Sequence, residues 1–382
     1  MRILILVFGT RGDLQLACDL ARQLQQRKLS VVVASSPFYA SMVRGLGLTF
    51  RAIGDGTFEQ LTSIFHEITG TTDLRARVKA YGKQWLAPQL AAGRNELRDE
   101  LAETDYCINN LRQVWRRGRQ VIPTTLITYD PVSNPATLLH YTAPLQQSQG
   151  SRNGECVQEV VLLNRQLVDP HTRWPAPFRF TGFAAESNRP DDAPKLARAQ
   201  PFASPDSCPP VVFTLGSMVT RDSHAWQLQV AETCRTIGRH CVIVGGWNAI
   251  SSDLAGLDHV TTTTEADYAV LFKSCACVIH HGGCGTLTAV LRVGVPSIIL
   301  PQVPSQQHFG KLLMERKLAT ACLGPDRDAS TGDQLRRGIE RAASDPQIRR
   351  ACDDWRGIVT DDDGIATATQ LVVDHAAQFR QP

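Results

Sequence analysis

Residues 278–286 combine the end of an apolar strand, a turn with two histidines and three glycines, and the start of a helix-like stretch. This order is typical of an anion site, because the first backbone N–H groups of a helix have no partner within it and lie at the positive end of its dipole. Glycines let a phosphate approach the backbone closely. The segment therefore predicts a diphosphate ligand beside a helix that begins near Thr286.

Both halves of the sequence alternate strands with helices. The first half begins with an apolar strand over 3–8, a glycine loop over 9–13, a helix, and a second strand over 30–35. A strand–helix–strand unit of this length implies parallel strands with a right-handed crossover. The second half repeats the pattern from Val211 to Leu300. We therefore expect an α/β protein of two Rossmann-like parallel-sheet domains facing across a cleft, with ligands at the carboxyl ends of the strands.

The length and the proline distribution predict where the two domains meet. A chain of 382 residues exceeds the size of one typical core. The stretch over 184–209 is rich in proline and has the composition of an interdomain linker. We therefore expect an N-terminal domain over 1–183 and a C-terminal domain over 210–359.

The amino-acid composition argues against a nucleic-acid-binding, membrane-spanning or disulfide-rich protein. A net charge of +3 is too small to favour nucleic acid or an anionic membrane as a partner. No apolar run approaches eighteen residues, so we expect no transmembrane helix, although transient membrane contact is allowed. Eleven cysteines without repeated spacing are typical of reduced thiols in a cytoplasmic protein. No CxxC or second ligand pair accompanies Cys275 and Cys277, and we therefore expect no metal site.

Several segments resemble, in the same order, those of family 1 glycosyltransferases. They are Gly9-Thr-Arg-Gly-Asp13, Phe213-Thr-Leu-Gly-Ser-Met218, His280-His-Gly-Gly-Cys-Gly-Thr286 and Gly294-Val-Pro296. The chain is most similar to bacterial enzymes of the macrolide and vancomycin groups, and to rhamnosyl- and sterol glucosyltransferases. The resemblance implies the GT-B fold, with the acceptor on the N-terminal domain and the donor on the C-terminal domain. It also implies a last helix, over about 360–382, that packs back on the N-terminal domain.

The resemblance further implies roles for individual residues. Asp13 matches the aspartate proposed as general base in bacterial members, and His281 matches the histidine that contacts the α-phosphate of the donor. Ser217 resembles a second phosphate or ribose contact, and Asp267 lies where related enzymes hold the nucleobase. The other donor contacts that it implies are Thr10, Arg11, Gly12, Gly283, Cys284, Gly285, Thr286, Ser305 and Gln306.

One position departs from the family pattern. These enzymes usually have an Asp-Gln pair shortly after the strand that ends near Pro301, where it grips sugar hydroxyls, whereas this chain has Ser305-Gln306. A serine can form a hydrogen bond but cannot offer the charged bidentate grip of a carboxylate. The motif for the diphosphate matches the family pattern, whereas the motif for the sugar does not. We therefore expect a deoxy-sugar donor, or a donor sugar that is held by other groups.

These residue types suit glycosyl transfer. A carboxylate can remove the acceptor proton, and a helix N-terminus with a histidine can stabilise the departing diphosphate without an obligatory metal or other cofactor. Together with the resemblance, this chemistry implies an inverting glycosyltransferase, monomeric or homodimeric, that moves a hexose or deoxyhexose from a UDP- or dTDP-sugar to a hydroxyl of a small lipophilic acceptor. A nucleotide-sugar epimerase on the same fold and a non-catalytic nucleotide-sugar-binding protein are the alternatives.

Each of these residues also has a structural interpretation. Asp13 could cap the helix that we expect to begin at Leu14. His281 could be a core histidine, and His280 is expected to point to the opposite face of its strand. The glycines over 9–12 could form an ordinary tight turn. The sequence leaves these alternatives open.

Overall fold

The chain folds as two compact units. The computed structural model describes residues 1–110, 115–128, 156–168, 178–184, 208–325 and 327–379. The first unit comprises Met1–Leu61, Gly82–Ala185 and Asp362–Pro382, and the second comprises Thr62–Tyr81 and Glu186–Asp361. The predicted linker over 184–209 lies almost wholly outside the described residues.

The described part of the first unit is built on a seven-stranded parallel sheet. The strands of this half are Arg2–Leu6 (β1), Ser30–Ser35 (β2), Thr49–Ala52 (β3), Tyr106–Asn109 (β4), Arg116–Arg117 (β5), Gln120–Val121 (β6), Thr124–Thr128 (β7), Val157–Val161 (β8) and Phe178–Phe180 (β9). The order is β3-β2-β1-β4-β7-β8-β9, and β5 and β6 form a separate antiparallel pair. The helices of this half are Arg11–Gln26 (α1), Ala40–Gly45 (α2), Phe58–Ile68 (α3), Leu74–Tyr81 (α4), Ala87–Glu96 (α5), Arg98–Glu103 (α6) and Arg165–Val168 (α7).

The second unit contains a six-stranded parallel sheet in its described residues. Its strands are Val211–Thr214 (β10), Cys241–Val244 (β11), Val260–Thr263 (β12), Cys277–His280 (β13), Ser297–Ile299 (β14) and Ala319–Cys322 (β15), in the order β12-β11-β10-β13-β14-β15. Its helices after the linker are Ser223–Thr236 (α8), Tyr268–Leu271 (α9), Cys284–Val293 (α10), Pro304–Glu315 (α11), Thr331–Ser344 (α12) and Pro346–Thr360 (α13). No helix in the described part of the chain is long and apolar enough to cross a membrane.

The central strands of this second sheet are buried on both faces. Phe213 and Ile279 pack into an apolar cluster on one face, and Val212 and Val278 pack into another cluster on the other face. Strands covered by helices on both sides have near-continuous apolar sequences, because neither face meets water. The polar residues of the two strands, Thr214 and His280, stand at their carboxyl ends.

The last helix of the chain, Gly364–Ala377 (α14), belongs to the first unit. It packs against α1, and His375 Nδ1 lies 2.5 Å from Tyr106 Oη in β4. The Asp362 carboxylate accepts hydrogen bonds from the Phe183 backbone at 3.0 Å and from the Asn164 side chain at 3.1 Å. These contacts fix the point where the chain returns to the first sheet.

Residues 62–81 depart from the predicted domain plan. The sequence placed them within the N-terminal domain over 1–183, whereas the structure groups them with the second unit. The physical reason is the buried Arg77, whose guanidinium hydrogen-bonds the backbone and side chain of Gln302. This helical excursion lacks any motif that would have assigned it to the second unit.

Candidate active site

Two neighbouring strands of the second unit bring their loops together. β10 pairs with β13 in parallel, so both end at the same edge of the sheet. A Cβ atom placed on Gly216 would lie 3.1 Å from His281 Cε1 and 3.9 Å from Thr286 Oγ1. The loop after β10, which contains Ser217, therefore lies against the histidine–glycine turn over 280–286.

Contact between two glycine backbones holds the loop after β10 in place. Gly216 and Gly246 both have left-handed backbones, with φ of +56° and +63°. A side chain on Gly246 would overlap the carbonyl oxygen of Gly216, and the same oxygen accepts a hydrogen bond from the Trp247 backbone at 3.0 Å. The close approach requires glycine at position 246 and fixes the backbone next to Ser217.

His280 is a structural residue. It is fully buried, and its Nδ1 accepts a hydrogen bond from the Gly282 backbone N–H at 3.1 Å. The proton is therefore on Nε2, which donates to Ser297 Oγ at 3.1 Å and ties β13 to β14. Burial lowers the pKa of His280 to about 3, so the ring is neutral near neutral pH. Both ring nitrogens are used in shaping the turn.

His281 has a different environment. Its side chain is 6% exposed, and its Nδ1 has no hydrogen-bond partner among the described residues. The ring is enclosed by the backbones of Gly216 and Gly283, because a Cβ atom on Gly283 would overlap His281 Nε2. Burial lowers the pKa of His281 to about 4, so the neutral ring offers one N–H donor. A buried polar atom of this kind marks a candidate ligand contact.

Helix α10 starts beside this ring. It begins at Cys284, two residues before the predicted start at Thr286, and Gly283 is its N-cap residue. No side chain caps this end of the 10-residue helix. Its first backbone N–H groups, which belong to residues 284–286, are not used by the helix itself. The structure thus places the predicted contacts from Gly283 to Thr286 at the start of one helix, next to His281.

The predicted sugar contacts lie next to the same turn. Ser305 and Gln306 are in the first turn of α11. A Cβ atom on Gly282 would lie 3.4 Å from Gln306 Cβ. The side-chain oxygen of Gln306 accepts a hydrogen bond from the Gln302 backbone N–H at 2.7 Å. Gln306 is therefore oriented by its own chain.

Asp267 is an exposed helix cap. Its carboxylate accepts a hydrogen bond from the Ala269 backbone at 3.0 Å at the start of the short helix α9. The next residue, Tyr268, hydrogen-bonds through its hydroxyl to Thr214 Oγ1 at 3.0 Å, and that oxygen accepts from the Gly216 backbone at 3.1 Å. The α9 segment is thereby connected to the loop after β10, while the Asp267 side chain caps its own helix.

Asp13 lies in the third position of α1, because the helix begins at Arg11 and not at Leu14 as predicted. Its Oδ2 accepts a hydrogen bond from the Thr10 backbone N–H at 2.6 Å, within a reciprocal capping box. The carboxylate lies directly over Gly9, whose φ is +151°. The structure therefore gives Asp13 a capping contact at the carboxyl edge of the first sheet.

Two residues that the sequence did not single out hold the loop before Asp13. The Asn110 side chain donates to the Phe8 carbonyl at 2.8 Å and accepts from the Phe8 backbone N–H at 3.1 Å. The Tyr39 hydroxyl donates to the Gly9 carbonyl at 3.1 Å.

The predicted donor contacts on this first unit are Thr10, Arg11 and Gly12. The remaining predicted donor contacts lie in the second unit.

The two units offer different chemistry. The second supplies backbone N–H groups, a neutral imidazole and hydroxyl groups around one helix start, and these suit an anion. The first supplies a carboxylate, which suits acceptance of a proton. In the described part of the chain, no group of three or more His, Cys, Asp or Glu residues could hold a metal ion.

The two buried histidines should make the protein sensitive to acid. The pKa values of His280 and His281 are lowered by burial to about 3 and about 4, whereas an unfolded histidine has a pKa of about 6.5. The unfolded chain therefore binds more protons as the pH falls below about 6.5, and the free energy of unfolding decreases. Between about pH 6.5 and pH 5 we expect a loss on the order of 1–2 kcal/mol per histidine. Urea unfolding of the wild type and of His281→Gln checks this, because the variant should lose less stability over that range. An equal loss in both proteins would contradict the assignment to His281.

Comparisons with known proteins show which proteins the chain resembles. Residues 248–376 match the family described as the C-terminal domain of erythromycin biosynthesis protein CIII-like proteins. An uncharacterised glycosyltransferase of Mycobacterium tuberculosis is 26% identical over 367 residues, which cover 83% of this chain and 86% of the relative. The vancomycin aglycone glucosyltransferase of Amycolatopsis orientalis is 32% identical over 167 residues, which cover 44% of this chain and 39% of that enzyme. The solved structure of the glycosyltransferase VinC in complex with dTDP matches with a TM-score of 0.62 and 19% identity, covering 99% of this chain and 100% of VinC.

The fold and the sequence relatives lead to the same class of enzyme. The structural match confirms the predicted α/β architecture of two parallel-sheet domains. The named relatives are glycosyltransferases, and the family match is to a protein of antibiotic biosynthesis. The resemblance inferred from the sequence motifs is thereby confirmed. The chain is a glycosyltransferase with the GT-B fold, and it is similar to the erythromycin biosynthesis CIII-like proteins and to the vancomycin aglycone glucosyltransferase.

Proposed function

We propose that this enzyme transfers a hexose or deoxyhexose from a UDP- or dTDP-linked donor to a hydroxyl group of a small lipophilic acceptor, with inversion at the anomeric carbon. The acceptor class includes natural products, lipids and sterol-like molecules. The observation that most directly supports a nucleotide-sugar donor is the buried His281 Nδ1 beside the uncapped start of α10. VinC, which has the same fold, is in complex with dTDP in its structure.

The donor diphosphate binds, in this proposal, at the start of α10. The backbone N–H groups of residues 284–286 face the phosphate oxygens at the positive end of the helix dipole. His281 is neutral because burial lowers its pKa to about 4, and it donates one hydrogen bond through Nδ1–H. When the bond from the anomeric carbon to the β-phosphate oxygen breaks, its electron pair stays on that oxygen. Donors fixed in place before the reaction stabilise this charge best.

Asp13 of the first unit is proposed as the general base. The acceptor oxygen attacks the anomeric carbon from the side opposite the diphosphate, and its proton passes to the Asp13 carboxylate. The same carboxylate accepts the Thr10 backbone hydrogen bond at 2.6 Å, which holds it in one orientation. A carboxylate has several lone-pair directions, so capping of the helix leaves capacity to accept a proton.

The cysteines support a cytoplasmic location, which is part of the proposal. All eleven are free thiols, and burial raises the pKa of the Cys18, Cys107 and Cys352 thiols. Free thiols in this number are typical of a reducing compartment. We propose a monomer or homodimer that acts on small molecules.

The direct test of the proposed function is ligand-dependent thermal stability followed by turnover. UDP or dTDP should raise the melting temperature, because a ligand that binds only the native state stabilises it, whereas GDP and ADP should have little effect. A matching nucleotide sugar should then be consumed in the presence of a panel of lipophilic alcohols. A response to GDP alone, or no turnover with any donor, would contradict the proposal.

Ser305→Asp tests the sugar end of the donor site. We expect the added carboxylate to raise kcat/KM for a fully hydroxylated hexose donor relative to a deoxyhexose donor by about 10-fold, because it can accept hydrogen bonds from sugar hydroxyls. Gln307→Asp is the matched control, since it adds the same charge at an exposed position two residues along the same helix. Equal effects of the two substitutions would mean that charge alone, and not contact with the sugar, changes the preference.

A further inference from the structure

A buried arginine connects the helical excursion of residues 62–81 to the donor loops of the second unit. Arg77 is 3% exposed. Its Nε donates to the Thr71 carbonyl at 2.7 Å, its Nη2 to the Thr69 carbonyl at 3.1 Å, and its Nη1 to Gln302 Oε1 at 2.9 Å. Burial of a guanidinium group is costly unless its donors are satisfied, and here one planar fork joins two segments that are 225 residues apart.

Gln302 connects Arg77 to Gln306, the predicted sugar contact. It is 3% exposed, and its side-chain Nε2 donates to the Leu300 carbonyl at 3.0 Å while its Oε1 accepts from Arg77. Its backbone N–H donates to Gln306 Oε1 at 2.7 Å. The orientation of the Gln306 amide therefore depends on the position of the Gln302 backbone, which Arg77 also contacts through the Gln302 carbonyl at 3.3 Å.

The same excursion also contacts the loop after β10. Thr69 Oγ1 accepts a hydrogen bond from the Arg221 backbone N–H at 2.9 Å and donates to the Phe65 carbonyl at 2.7 Å. The Thr69 carbonyl is one of the acceptors of Arg77. The excursion thus joins two loops at the carboxyl edge of the second sheet.

We propose that Arg77 is a positioning residue for the sugar moiety of the donor. It holds Gln302, and through it Gln306, in the arrangement that receives the pyranose hydroxyls, whereas the diphosphate binds at α10 independently of it. The inference rests on the proposed function, because it assigns Gln306 to the sugar of a nucleotide sugar. The residue acts through Gln302 and does not touch the reacting atoms.

The test compares the affinity for a nucleotide sugar with the affinity for the bare nucleotide, by calorimetry. In Arg77→Met we expect the dissociation constants of UDP-glucose and dTDP-glucose to rise by about 10-fold, while those of UDP and dTDP change by less than about twofold. Arg77→Lys should recover little, since an ammonium group cannot reproduce the planar fork. Arg75→Met, at an exposed position of the same helix, is the matched control and should change neither value.

A second variant tests the same inference if Arg77→Met fails to fold. Gln302→Met removes the side-chain acceptor of Arg77 and should show the same selective loss, and the double variant should be no worse than either single one. Equal weakening of nucleotide and nucleotide sugar, or no change in either, would overturn the inference alone. Wild-type protein that binds neither ligand would overturn the proposed function and this inference with it.

Discussion

Asp13→Asn is expected to lower the turnover number by about 10²–10⁴-fold, while the dissociation constant of the nucleotide sugar stays within about twofold. The amide cannot take the acceptor proton, so the attack on the anomeric carbon loses its base. The amide oxygen can still accept the hydrogen bond from the Thr10 backbone, which lies 2.6 Å from the carboxylate in the wild type. The helix start should therefore be preserved, and steady-state kinetics with a donor titration will measure the two effects separately.

Asp13→Ala supplies the control for the capping role. It removes both the base and the acceptor of the capping box, and we expect it to lose about 1 kcal/mol of stability in addition to turnover. Asp13→Asn should unfold at nearly the wild-type urea concentration. If Asp13→Asn retained the wild-type rate, Asp13 would be a helix cap and the base would be another group.

Gly283→Ala is expected to weaken nucleoside diphosphate binding by about 10- to 100-fold, the loss of one hydrogen bond to a charged group. The backbone at position 283 has φ of −68°, so alanine fits the chain without strain. Its methyl group, however, would overlap His281 Nε2. The ring has little room to move, since its Cε1 lies 3.1 Å from the Cβ position of Gly216. Titration calorimetry with UDP and dTDP measures the loss.

Two further variants show whether the methyl group acts through the imidazole. His281→Ala should weaken binding to a similar extent, and the double variant His281→Ala/Gly283→Ala should bind no worse than His281→Ala alone. Gly357→Ala adds a methyl group to an exposed position of α13 with open space around it, and it should leave the affinity unchanged. Strictly additive losses in the double variant would mean that residue 283 contacts the ligand itself and does not act through His281.

Local patterns in the sequence were enough to predict the two parallel sheets and the loops that follow β10 and β13. Strand, glycine turn and helix start are encoded within about a dozen residues, and burial on both faces gives an apolar run such as that of Val211–Thr214. The helix starts were less accurate, because α10 and α1 begin two and three residues earlier than predicted. The first turn of each contains glycine, which obscures the start of the helical pattern.

The tandem histidines show what a local pattern leaves open. Alternation along a strand predicts that His280 and His281 point to opposite faces, but both are buried. Their roles differ because His280 finds Gly282 and Ser297 as partners, while His281 Nδ1 finds none among the described residues. Only the three-dimensional arrangement of the turn supplies that distinction.

The role assigned to Arg77 was beyond prediction from the sequence. In the sequence it is one of three basic residues in an eight-residue helix, with Arg75 and Lys79 exposed on either side. Its burial depends on a partner, Gln302, that is 225 residues away. No periodicity within α4 encodes such a contact, and the grouping of the excursion with the second unit could therefore not be predicted from the sequence.

The placement of α14 has a consequence for folding during synthesis. Gln370 accepts a hydrogen bond from Arg27, 343 positions earlier, and His375 pairs with Tyr106, 269 positions earlier. At about 5–20 residues per second, a ribosome takes roughly 15–50 s to travel from Tyr106 to His375. The strands of the first sheet are therefore translated first, but the unit that contains them lacks its final helix until the second sheet has been synthesised. A premature stop just before α14 would damage the unit that contains the N-terminus and not the one translated immediately before the stop.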